Sequence, residues 1–184
     1  MIEKLDKELS NLPEGFIVGV ITSSEEYKDA NLEILNFLVN KQGATGSYVT
    51  INRPYTNVIG ILKKQNIDPK KLHFIDCITK TLGGKIPKAD NCEFINSPSH
   101  LTDLSIALHK YFTSSEDKNR FLHLDSLSTL NIHNEAGSVL KFVHYLTGKM
   151  RVFGLKGVIL SLREETDKKL IAELSQFCDK MIKL

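Results

Sequence analysis

Short apolar runs alternate along this chain with stretches of helical period, and that alternation limits the fold more than any other feature. Residues 16–21 read as a strand. Residues 29–40 read as a helix with a wide apolar stripe of Ile34, Leu35, Leu38 and Val39. Residues 47–51 form the next strand, Tyr55, Val58, Ile59 and Leu62 mark the next helix, and residues 72–75 a third strand. Residues 94–95 are expected as a short fourth strand. Ser97-Pro98 opens a helix striped by Leu101, Leu104, Leu108 and Phe112, with the serine as N-cap and the proline in the first turn. Strands follow at 121–124, 158–160 and 181–184. Between them lie a helix marked by Ala136, Val139, Leu140, Val143 and Leu146, and one capped by Thr166 that carries Leu170, Ile171, Leu174 and Phe177. The strands read as largely apolar runs rather than strict alternations, as expected where both faces are buried. The fold class is therefore α/β, three layers, with a mostly parallel central sheet flanked by helices.

A chain of 184 residues, 41% hydrophobic and 25% charged, can build such a core without a disulfide or structural metal. Residues 15–184 are expected to form one domain. Residues 1–14 precede it as a short amphipathic helix, with Ile2, Leu5, Leu9 and Leu12 on one face. This start is too acidic and interrupted for a signal peptide, and no apolar run approaches the roughly 20 residues of a membrane span. Cys77, Cys92 and Cys178 are odd in number and lack C-x-x-C spacing, which fits reduced thiols and a cytoplasmic location. No Cys/His cluster suggests a metal, and no cofactor is expected. A net charge of +2 weighs against a dedicated nucleic-acid binder.

Ligands of parallel sheets sit beyond the carboxyl ends of the strands. The residues to watch are therefore 22–28, Asn52 and Arg53, Asp76 and Cys77, Ser97, and Asp125 and Ser126. Ser126 and Ser128 with His123 or His133 invite a triad reading, but Ser126 has no G-x-S-x-G elbow around it. Asp76 and Asp125 each end a strand, where an aspartate most often serves as a cap or turn residue. Residues 77–92 lack periodicity and contain Gly83-Gly84, with Lys80, Lys85 and Lys88 against Asp90. They read as a solvated loop, or else as a contact for a partner or polyanion.

The run Phe121-Leu-His-Leu-Asp125-Ser126-Leu-Ser128 resembles the Walker B segment of the RecA superfamily in its KaiC-like form. Four further stretches occur in matching order: 46–54, 72–76, 97–104 and 177–184. Together they cover most of residues 15–184 and resemble archaeal KaiC-like proteins. The resemblance implies a RecA-like ATPase fold in which Asp125 would orient Mg²⁺ and its water.

The departures from that family matter as much. A working phosphate loop reads G-x-x-x-x-G-K followed by Ser or Thr, so that backbone N–H groups wrap the phosphates and the Lys reaches them. Here residues 20–29 read VITSSEEYKD, with no glycine between Gly19 and Gly43 and with Glu25 and Glu26 adjacent. Active relatives typically carry a glutamate after the second strand, where this chain has Asn52. The expectation is a pseudo-ATPase with no catalytic residues, in which Lys28, Asp125 and Ser126 are vestiges of a nucleotide site. Its work would be regulatory or scaffolding, in signalling for example, through a protein partner or further copies of itself. Two alternatives stand beside this reading. One is an ATP-binding enzyme with a nonstandard loop, using Lys28 on phosphate and Asp125 on Mg²⁺. The other is a recombinase-type accessory that binds DNA.

Overall fold

The computed structural model describes residues 2–164 and 168–184, with the side chain of Ile2 not among them. The expected cap at Thr166 lies outside the described residues. Seven parallel strands form one sheet: β1 (Ile17–Thr22), β2 (Thr45–Thr50), β3 (Leu72–Asp76), β4 (Cys92–Phe94), β5 (Arg120–Asp125), β6 (Lys156–Leu162) and β7 (Lys180–Lys183). Their spatial order is β4-β3-β2-β5-β6-β1-β7. The helices are α1 (Ile2–Ser10), α2 (Tyr27–Asn36), α3 (Tyr55–Lys64), α4 (Leu101–Thr113), α5 (Leu127–Ile132), α6 (Ala136–Phe153) and α7 (Lys168–Phe177).

Two apolar clusters lie on opposite faces of the sheet. Alternate strand residues feed them, as the period of a strand requires. Val49, Ile75, Leu122, Leu124 and Ile159 pack with α4, α5, α6 and α7. Tyr48, Phe74, Phe121, Val158 and Leu160 pack with α1, α2 and α3. Close packing explains Gly46: a Cβ there would come within 2.3 Å of the Phe121 ring, its partner across the β2–β5 ladder.

Several boundaries differ from the sequence reading, each for a local reason. The second helix begins at Tyr27, two residues before Asp29, and closes in a π turn over Phe37–Lys41 with Gln42 N–H on the Phe37 carbonyl at 2.9 Å. The helix expected to be capped by Ser97 starts at Leu101, with His100 at the N-cap. The Ser97 hydroxyl instead accepts the Ser99 N–H at 3.2 Å, which makes a tight turn before the helix. The short fourth strand is Cys92–Phe94. Residues 127–132 form α5, a helix the apolar spacing did not mark, and the Ser126 hydroxyl accepts the Thr129 N–H and caps it. Among the described residues no helix is long and apolar enough to cross a membrane.

Candidate functional site

β2 and β5 are neighbours whose following helices leave to opposite faces: α3 packs in one cluster, α5 and α6 in the other. A crevice opens beyond the carboxyl ends of such strands. The last pair of their ladder is Thr50 with Asp125. Along β5, Phe121 alternates with Leu122 and Leu124, so His123 and Asp125 share its face, toward α2 and α3.

Asp125 is fully buried. Oδ1 accepts the Tyr27 hydroxyl. Oδ2 accepts the Tyr48 hydroxyl and, at 2.9 Å, the Asn31 Nδ2–H. Asn52 Nδ2 donates in turn to the Tyr27 oxygen at 2.7 Å and lies 3.4 Å from Ser126 Oγ. Side chains from the first two turns of α2 and the middle of β2 thus converge on the carboxylate at the end of β5, and Asn52, just beyond β2, supports Tyr27 from behind. Burial pushes the Asp125 carboxyl up, and the two hydroxyls, the Arg53 charge and the Asn31 amide pull against it. Tyr27 and Tyr48 are both raised, first by burial and then by the facing carboxylate, so both remain donors.

His123 continues the network. Its Nε2 lies 2.6 Å from Asn31 Oδ1 and its Nδ1 3.3 Å from the Val158 carbonyl. The Asn31 Nδ2 already donates to Asp125 and Tyr48, so its Oδ1 is the atom left for the ring. Both partners are acceptors and a neutral imidazole has one N–H, so the ring donates to one of them and leaves the other without its proton. Burial lowers the His123 pKa to about 4. With both ring nitrogens so placed, His123 does not serve Ser126. That hydroxyl instead caps α5 and lies 3.0 Å from the hydroxyls of Ser128 and Thr129.

Asp125 and Ser126 thus come together, but in different roles: one gathers donors beneath α2, the other starts α5. Lys28 is exposed on α2 and lines a narrow cleft between α2 and α3 with Tyr27, Asn31, Tyr48 and Arg53. That cleft encloses about 20 Å³, room for roughly one water. The turn before α2 closes on itself, since the Ser23 hydroxyl donates to Glu26 Oε2 at 3.2 Å and accepts the Glu26 N–H at 3.3 Å. Asp76 follows the cap reading: its carboxylate accepts the N–H groups of Tyr55, Ile78 and Thr79 at 2.7–2.8 Å. Among the described residues no group of three or more His, Cys, Asp and Glu is placed to hold a metal.

Tyr27, Asn31 and Tyr48 were not among the residues singled out by sequence for this site, although Tyr27 fell within the 22–28 stretch. One signal was available. Tyr48 sits inside a strand that is otherwise buried, and a buried tyrosine hydroxyl needs a partner.

The chain shares its fold with archaeal KaiC-like proteins of RecA-like architecture. KaiC-like protein PH0186 of the hyperthermophilic archaeon Pyrococcus horikoshii superposes with a TM-score of 0.66 at 13% identity, over 94% of this chain and 72% of that one. An uncharacterized protein of the same organism, PH0321, solved with an unknown peptide, gives 0.74 at 14% identity over 98% and 82%. The flagellar accessory protein FlaH of Methanocaldococcus jannaschii gives 0.56 at 14% identity over 98% and 76%. By sequence, the chain belongs to a family of unknown function, DUF7504, whose profile matches residues 55–184. No curated protein matches the sequence.

Proposed function

We propose that this chain is a catalytically degenerate KaiC/RecA-like domain that works as a regulatory or scaffolding protein-interaction module. The observation that carries this reading is the Asp125 carboxylate, whose two oxygens are taken by Tyr27, Tyr48 and Asn31. In a working relative the equivalent carboxylate faces the metal and its water. Here the hydroxyl of Tyr27, from the first turn of α2, holds one of its oxygens from within the fold.

The surroundings do not suit a Mg-nucleotide either. The N-terminus of a helix attracts phosphate through its free N–H groups and dipole. At α2 that end carries Glu25 and Glu26, and Glu26 N–H is already bonded to Ser23. Lys28, Asp125 and Ser126 are then vestiges of a nucleotide site. A protein partner or a second copy of the chain is the expected ligand. The peptide held by the structural neighbour PH0321 is in keeping with that.

Millimolar Mg-ATP in a thermal melt tests the reading. A ligand present at a hundred times its Kd stabilises by about 2.7 kcal/mol. No shift beyond that given by an uncharged control ligand is expected. A clear Mg-ATP shift, lost in Lys28→Ala, favours instead an enzyme with a nonstandard phosphate loop. Salt-dependent retention of single-stranded DNA favours the recombinase-type accessory.

A further inference from the structure

The loop between β3 and β4 has no part in the carboxylate network, and two of its features go together. Its first half is tightly fixed. The Asp76 carboxylate holds the Ile78 and Thr79 N–H groups at 2.8 Å and the Thr79 hydroxyl at 2.5 Å. Leu82 N–H reaches the Ile78 carbonyl at 3.0 Å, Gly83 N–H that of Lys80 at 3.1 Å, and Gly84 N–H that of Thr79 at 3.0 Å. Gly83 supplies the left-handed backbone at φ +66°. Thr81 Oγ1 and Lys80 Nζ both tie the turn to Asn96, each at 3.2 Å.

This fixed turn holds Leu82 out to solvent at 67% exposure, and Ile86 follows at 48%. Lys80, Lys85 and Lys88 stand beside them against Asp90. None of the three lysines makes an ion pair among the described residues, whereas nearby Glu93 is held by Lys110 at 2.8 Å. The other strongly exposed aliphatics, Ile106, Ile132 and Val152, stand singly on three different helices. Two exposed aliphatics on one cationic loop, the first of them held out by a fixed turn, are unusual for a surface that only meets water.

Resting on the interaction reading above, we infer that residues 78–88 dock an acidic segment of a partner protein whose own apolar side chains cover Leu82 and Ile86. Charge complementarity selects that occupant: Lys85 and Lys88, which make no ion pair among the described residues, meet its carboxylates while the leucine supplies a pre-ordered anchor. Three lysines on one loop are few for stable attachment to an anionic membrane, which usually draws on longer polybasic runs.

The test uses the full chain and a short fluorescein-labelled peptide of Asp and Glu with Leu at intervals, followed by fluorescence anisotropy. Saturable, salt-weakened binding is expected, and Lys85→Glu/Lys88→Glu and Leu82→Ser should each weaken it by about tenfold or more. The same charge change on α3, Lys63→Glu/Lys64→Glu, should leave it nearly unchanged. The loop variants should keep the parent melting temperature. No saturable binding, equal weakening by the α3 variant, or loop-dependent retention on phosphatidylserine vesicles without peptide binding would overturn the inference. A Mg-ATP melting shift in the same preparation would remove the pseudo-ATPase reading while leaving loop-dependent peptide binding intact, so the two failures are distinguishable.

Discussion

The hydroxyl of Tyr27, the first residue of α2, donates to the carboxylate of Asp125, the last residue of β5 and 98 positions further along the chain. That contact turns a strand-end carboxylate into an internal acceptor. Tyr27→Phe leaves a buried carboxylate one donor short and should cost about 1–3 kcal/mol. Asp125→Asn should cost a similar amount, because whichever way its amide lies the NH₂ faces either the Tyr27 hydroxyl or the donors of Tyr48 and Asn31. The pair should couple by about 0.5–3 kcal/mol in a double-mutant cycle. Urea unfolding measures all three. Additive single effects would show that the two side chains do not interact.

Acid should weaken the fold through His123. Its pKa falls from an unfolded value of 6.5 to about 4 in the folded chain because burial disfavours the imidazolium. Above pH 6.5 both states are neutral and nothing is lost. As the pH falls from 6.5 toward 4, the unfolded chain takes up the proton first. Stability then drops, by up to the order of 3 kcal/mol. Asp125 acts with the opposite sign: its raised carboxyl accepts a proton in the folded chain first, so falling pH returns stability. His123→Gln should flatten the loss between pH 6.5 and 4 relative to wild type in a urea series. Equal slopes for the two proteins would show that His123 is not held neutral.

The loop after β3 should divide in amide exchange. Ile78 and Thr79 donate to a buried carboxylate, and Leu82 and Gly84 to loop carbonyls, so these amides should exchange slowly. Residues 85–90, exposed or half-exposed, should exchange fast. Asp76→Ala should release the slow group. The expectation of a uniformly solvated loop over 77–92 overlooked Asp76, whose role as a turn cap was itself legible from its place at the end of a strand.

Periodicity carried most of the fold because a parallel sheet buries both faces. Strand residues such as 16–18 and 158–160 had to be continuously apolar, and helices such as α6 had to be striped. Boundaries were lost where side chains competed for backbone groups. The Ser97 hydroxyl closed a turn rather than a helix, and the Ser126 hydroxyl started a helix that apolar spacing did not reveal. At the site, Asp125 was legible through a local run of sequence. Its partners were not, because Tyr27, Asn31 and Tyr48 come from two distant segments. Nothing in the spacing of those segments tells which hydroxyl will meet which carboxylate.

The N-terminal helix offers the clearest contrast between apolar and ionic anchoring. Leu5 and Leu9 are fully buried in the cluster that also holds Ile34 and Leu38 of the α2 segment. Around them lie ion pairs: Lys41 with Asp6 at 2.6 Å, and Lys180 with Glu8. Lys4 Nζ also donates to the Lys183 carbonyl at 2.7 Å, at the β7 edge of the sheet. The helix therefore docks within its own chain, and through Lys4 it reaches one backbone carbonyl of an edge strand. Leu9→Ala should cost about 2–5 kcal/mol through lost burial and a residual cavity. Asp6→Ala should cost no more than about 1 kcal/mol, since both members of its pair are partly exposed. Removal of residues 1–12 should lower the melting temperature and uncover both the apolar bed and part of the β7 edge. Concentration-dependent light scattering is expected from the shortened chain. If the shortened chain remains monomeric and melts at the parent temperature, the helix neither stabilises the fold nor protects the edge.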